Sequence, residues 1–140
     1  MTDTHVPFRV LRLDHVVLCV TDLARAEAFY CNVLGARVER RIDKPIVLVQ
    51  LRIGESQLDL VPGRKPDEGR NMEHFCMRVD PFNADAINAH VRRFGADPEP
   101  MRELYGSDGF GPSIYFCDPD GNKVEVKGPP TRQLGDPRPA

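Results

Sequence analysis

One pattern occurs twice in this chain, and that duplication restricts its fold more than any other feature. "LDHVVLCVTDLARAEAFYCNVLG" (13–35) passes from an apolar run carrying one histidine into an amphipathic segment that stops at a glycine. "EHFCMRVDPFNADAINAHVRRFG" (73–95) repeats the same succession, with His15 to Gly35 spanning 20 positions and His74 to Gly95 spanning 21. The Val- and Leu-rich starts read as strands. Leu23, Ala26, Phe29, Tyr30, Val33 and Leu34 recur at helical spacing, as do Ile87, Val91 and Phe94 in the second copy. Thr21 or Asp22 is placed to cap the first helix, and Gly35 and Gly95 sit where helices stop.

Three extended runs follow each helix. "ARVERRI", "IVLVQLRI" and "SQLDLVP" follow the first, with "IGE" as a hairpin turn; "DPEPMREL", "PSIYFCD" and "NKVEVKG" follow the second. A unit of this size cannot bury its sheet alone, so two copies must share a core. The expected fold class is therefore α+β: two tandem β-α-β-β-β modules forming a curved mixed sheet around a cleft, with helices on the outer face. The expected organisation is an N-terminal arm (1–9), one domain over 10–127 and an irregular, mobile tail (128–140). Within the domain, module 1 covers about 10–63 and module 2 about 72–127, joined by the polar "RKPDEGRN".

Strand alternation then decides which side chains leave the aliphatic face. His15, Val17 and Cys19 oppose Val16, Leu18 and Val20, and the aliphatic set is expected under the helix. By the same alternation Asp59 opposes Leu58 and Leu60, His74 opposes Phe75, and Glu125 opposes Val124 and Val126. Four strands thus direct His15, Asp59, His74 and Glu125 toward one concave surface. Two imidazoles with one or two carboxylates are a donor set for a divalent cation that keeps positions open. Thiolate-free N/O coordination suits Zn, Fe, Mn, Co or Ni without choosing among them. His5, in the polar arm, and His90, off the apolar helix stripe, are read as surface residues.

Composition bounds the partners. A formal net charge of -2 gives no footprint for nucleic acid or anionic membrane. No apolar run approaches the roughly 20 residues of a membrane span. "MTDTHVPFRV" lacks the features of a secretory signal, so a cytoplasmic protein is expected. The 4 cysteines form no C-x-x-C pair, which favours reduced thiols over a zinc-thiolate or disulfide framework.

These features resemble the vicinal oxygen chelate superfamily, the glyoxalase, bleomycin-resistance and extradiol-dioxygenase fold. The resemblance is carried by "LDHVVLCVTDLARAEAFYCNVLG", "MEHFCMRVD" and "SIYFCDPDGNKVEV", and it covers roughly residues 10 to 127. It implies that His15, His74 and Glu125 ligate a divalent metal ion, and that Asp59 stands where glyoxalase I-like members place a fourth, usually glutamate, ligand. Aspartate is shorter by a methylene, so Asp59 reaches the ion through water or serves as the base. The resemblance further implies that Tyr115 and Ser113 contact substrate and that "RELYGSDGFGPS" (102–113) is a loop able to close over it. Fosfomycin-resistance thiol transferases carry a hydroxyl residue where this chain has Val17, and a lysine in a loop where "ELYGSDGFGP" has none.

The expected function is a metal-dependent enzyme that chelates a small-molecule substrate through neighbouring oxygens for proton transfer, of the lyase or isomerase type. Alternatives are an Fe(II)-dependent dioxygenase and a non-catalytic binding protein of the bleomycin-resistance kind. A homodimer is expected.

Overall fold

The computed structural model describes residues 13–70, 72–133 and 135–138; the expected arm, with His5, lies outside the described residues. The first module runs β1 (His15–Val20), α1 (Leu23–Leu34), β2 (Arg37–Ile42), β3 (Leu48–Ile53) and β4 (Ser56–Pro62). The second runs β5 (Phe75–Arg78), α2 (Ala84–Arg93), β6 (Arg102–Gly106), β7 (Gly109–Cys117) and β8 (Lys123–Lys127). Among the described residues they form two four-stranded mixed sheets, ordered β1-β4-β3-β2 and β5-β8-β7-β6. In each, the module's first strand lies parallel to its last and the other pairs are antiparallel. The expected α+β duplication is present, as two sheets of identical order.

Local chemistry accounts for the helix ends. Asp22, rather than Thr21, caps α1: its side chain accepts from the Arg25 amide at 2.9 Å. Asn83 does the same for α2 through the Ala86 amide. Gly35 closes α1 in the left-handed conformation, φ 68, which glycine adopts without a Cβ penalty.

Helix α1 does not simply cover its own sheet. Besides packing on β3 and β4, it sends Phe29 and Tyr30 onto the second sheet. Phe29 lies 6.4 Å from Phe116, and Tyr30 lies 6.3 Å from Phe75, between ring centroids. The aliphatic faces of both sheets (Leu18, Val20, Leu58, Leu60 and Ile114, Phe116, Val124, Val126) therefore belong to one buried cluster. Each such side chain contributes about 1.5–3 kcal/mol on burial. Because that cluster claims the aliphatic faces, the polar faces of β1, β4, β5 and β8 point the other way, and this places the site.

The turn Asp118–Gly121 ties the two modules together. Asp118 accepts from the Tyr30 hydroxyl at 2.7 Å and from the Asp120 and Asn122 amides. Asp120 accepts from the Thr21 amide and hydroxyl at 2.8 and 2.6 Å, beside the start of α1. His90 is exposed, as expected, and its Nε2 lies 3.1 Å from the Val33 carbonyl of α1.

Three expectations need correction. Residues 97–101 are not strand; pairing begins at Arg102. The expected loop over 102–113 is a β6–β7 hairpin, paired from Arg102↔Ser113 to Gly106↔Gly109 and turning at Ser107 and Asp108. The tail is irregular but held: Phe110 donates to the Arg132 carbonyl at 2.9 Å, Gly128 donates to Pro112 at 2.8 Å, and the Arg132 guanidinium covers the Phe110 ring.

Candidate functional site

Both modules wall one cleft of about 580 Å³. The first contributes His15 and Gln57, and the second contributes His74, Cys76, Arg78, Glu125, Lys127 and the β6–β7 turn from Tyr105 to Gly109. Register explains the convergence. Cys76 pairs with Glu125 and Arg78 with Lys127, and His15 pairs with Gln57. Neighbours in register share a face, and residues two apart along a strand share it too. His74, one residue ahead of β5, thereby falls on the face of Cys76.

His74 and Glu125 come together: Nε2 lies 3.7 Å from Oε2. Two ligands about 2.0–2.2 Å from a common tetrahedral ion stand roughly 3.3–3.5 Å apart, so this pair is close to ligand spacing. Glu125 is 5% exposed. Its ion-pair partner among the described residues is His74, an imidazole, with no lysine or arginine on it. A buried carboxylate beside an imidazole nitrogen fits a cation in kind.

His15 lines the same cleft, but its Nδ1 lies 2.7 Å from Asp14 Oδ1. That bond raises the imidazole above its ordinary value, and the Asp59 charge adds to the rise. Engaging Nδ1 leaves Nε2 as the available ligand atom, the arrangement metal-bound histidines use. Among the described residues no group of three or more His, Cys, Asp or Glu side chains is close enough to hold an ion. The duplication thus assembles His74 with Glu125 and brings His15 to the cleft without closing the triad.

The other expected residues lie deeper. Asp59, 3% exposed, is not on the cleft wall; its oxygens accept from Gln57 Nε2 at 2.9 Å and Gln50 Nε2 at 3.3 Å. Gln57, which carries Asp59 toward the cleft, was not an expected site residue. Ser113 is fully buried and accepts from Lys127 Nζ at 3.2 Å, so it props a lysine. Tyr115 packs edge-on against His74 at 5.4 Å, with Arg102 and Lys123 over its ring. Burial first, and then the Glu125 charge, push its phenol upward. Beside Glu125, the Cys76 thiol is pushed up to about 12, mainly by burial and then by the carboxylate. Arg52 is engaged by Glu39 at 2.9 Å, whereas Arg78 stands on the cleft. Alternation already placed Lys127 on the face of Glu125, but no local signal showed that its tail would be buried.

Residues 12–126 match the family model described as the Glyoxalase/Bleomycin resistance protein/Dioxygenase superfamily. Among curated proteins, the chain is similar to the mitochondrial methylmalonyl-CoA epimerase of Homo sapiens, 29% identical over 65% of this chain and 59% of that protein. It is 32% identical to the lactoylglutathione lyase of Salmonella typhimurium, over 83% of this chain and 91% of that one. Among solved structures, it superposes with TM-score 0.71 and 22% identity on a mutant of the fosfomycin resistance protein FosX from Listeria monocytogenes. That match covers 88% of this chain and 94% of the other, which is complexed with Mn(II) and a dihydroxypropylphosphonic acid. No helix among the described residues is long and apolar enough to cross a membrane.

Proposed function

Since this chain belongs to the Glyoxalase/Bleomycin resistance protein/Dioxygenase superfamily, we propose that it is a metal-dependent enzyme of the lyase or isomerase type. Its substrate is a small molecule with two neighbouring oxygens, on which it moves a proton. The observation that carries this reading is the 3.7 Å approach of His74 Nε2 to Glu125 Oε2, on a cleft that His15 also lines. Similarity to an epimerase and to a lyase supports the reaction type.

His15, His74 and Glu125 would hold the divalent cation, one of Zn, Fe, Mn, Co or Ni. Such an ion polarises paired substrate oxygens and acidifies the adjacent C–H. The chain's own groups do the rest. The His15 side chain, 43% exposed, is free to turn its Nε2 inward. Tyr115, against His74, fixes that imidazole's plane. Glu125 and Asp59 are the proton-handling carboxylates. Asp59 acts through water past Gln57, because Gln57 and Gln50 occupy two of the four or so lone-pair sites of its carboxylate. Ser113 acts one step removed, by supporting Lys127.

We place the protein in the cytoplasm as a homodimer; its free cysteines fit a reducing compartment. The reaction is tested by incubating metal-loaded protein in D₂O with hemithioacetals and acyl-thioester epimers and following exchange at the carbon beside the carbonyl by NMR. Exchange that falls at least about a hundredfold in Glu125→Gln supports the reading. Oxygen uptake with a catechol and no exchange would replace it with a dioxygenase, and tight binding without turnover would replace it with a sequestering protein.

A further inference from the structure

Lys127 is a cleft residue to which the proton chemistry gives no part of its own. It is 5% exposed, and its ammonium donates to the carbonyls of Leu104 and Gly111 and to the Ser113 hydroxyl. All three of its protons go to neutral oxygens, and among the described residues its charge has no carboxylate in ion-pair range. Holding an ammonium away from water without a counter-ion is costly. The fold makes room for it nonetheless: a Cβ at Gly106 would lie 2.7 Å from Lys127 Cε.

Arg78 stands directly beside this lysine. The two are register partners on β5 and β8 and line the same cleft. Like charges opposed on neighbouring strands repel. Arg78 is only partly satisfied: Nη1 donates to the Val79 carbonyl at 2.6 Å, and Nε lies 3.5 Å from Asp108 Oδ2 on the hairpin turn.

We infer that Arg78 and Lys127 form a subsite for an oxyanion, a carboxylate or phosphate-type acid group on the substrate. Two residues along each strand separate this pair from Cys76 and Glu125, which is about 7 Å at roughly 3.3 Å per residue. The substrate class is therefore a small acid whose ionised group lies a few bonds from its neighbouring oxygens. The guanidinium makes the direct contact, and the lysine supplies fixed charge beneath it. The substrate assignment rests on the chelation reading above; the anion site itself does not.

The test uses full-length protein stripped of metal by chelator and titrated calorimetrically with malonate, inorganic phosphate and, as the uncharged control, dimethyl malonate. Binding of either anion but not of the diester is expected, weakened about tenfold by Arg78→Gln and at least as much by Lys127→Met. Arg41→Gln, off the cleft and paired with Glu27, should leave it unchanged. Preference for malonate or for phosphate identifies the acid. If Lys127→Met fails to fold, Arg78→Gln alone decides. No anion binding, or binding that survives Arg78→Gln, overturns the subsite. Loss of the subsite with Mn(II) binding intact leaves the chelation reading standing, whereas anion binding in a wild-type chain that holds no Mn(II) removes the chelation reading instead.

Discussion

Replacing Tyr30 with phenylalanine should separate the joint between the modules from the site it supports. Tyr30 is fully buried and donates to Asp118 Oδ2 at 2.7 Å. Asp118 keeps three other donors, the Asp120 and Asn122 amides at 2.9 and 2.8 Å and Asn122 Nδ2 at 2.8 Å. The carboxylate therefore stays satisfied, and the loss is one bond to a charged acceptor, about 2 kcal/mol at pH 8. At a urea slope of about 2 kcal/mol per molar, the midpoint falls by about 1 M. The difference should depend on pH. Burial, and then the Asp118 charge, raise the folded phenol well above its ordinary 10.0. With the folded value raised, the stabilisation is full below pH 10 and is lost as pH rises beyond it, because the unfolded tyrosine ionises first. At pH 10.5 the wild type should have lost roughly 1 kcal/mol by this route, narrowing its margin over Tyr30→Phe by about that amount. Urea melts at both pH values measure this. A Tyr30→Phe midpoint equal to wild type at pH 8, or a margin that widens at pH 10.5, would refute the reasoning.

Two further perturbations probe the cleft. Gly106→Ala sets a methyl 2.7 Å from Lys127 Cε, in a side chain held by three acceptors. A loss of about 1–3 kcal/mol in a thermal melt is expected, and an unchanged melting temperature would show the lysine tail to be loose. Cys76, with its thiol pushed up to about 12, should alkylate with iodoacetamide at pH 8 some fifty- to a hundredfold more slowly than free cysteine, since its scarcer thiolate is only partly offset by higher nucleophilicity. A rate near that of the free amino acid would contradict that environment.

Much of the fold was legible because its signals are local. Alternation in "LDHVVLCV" and "SQLDLVP", a cap at Thr21 or Asp22, and Gly35 behind the first helical stripe each act within a few residues, and the elements formed where they point. What was not legible depends on register and reach. Gly106, Gly109, Gly111 and Pro112 read as loop residues, yet cross-strand pairing makes 102–113 a hairpin. Phe29 and Tyr30 were expected to cover their own sheet but also pack on the other, a choice that only the joined modules can make. In the site, parity placed His74 and Glu125 on one face. It could not tell that Asp14 would engage His15, that Gln57 and Gln50 would hold Asp59 back from the cleft, or that Ser113 would serve Lys127. Side-chain torsions and long-range neighbours decide those contacts.

The central claim is that His15, His74 and Glu125 close on a single divalent cation. Titrating the chelator-treated protein with Mn(II) and counting bound ions by electron paramagnetic resonance tests it most directly. One ion per chain is predicted, with affinity falling at least about tenfold in each of His15→Ala, His74→Ala and Glu125→Gln, in the range seen when a metal site loses even a supporting contact. Absence of stoichiometric binding, or binding that all three variants retain, would contradict it.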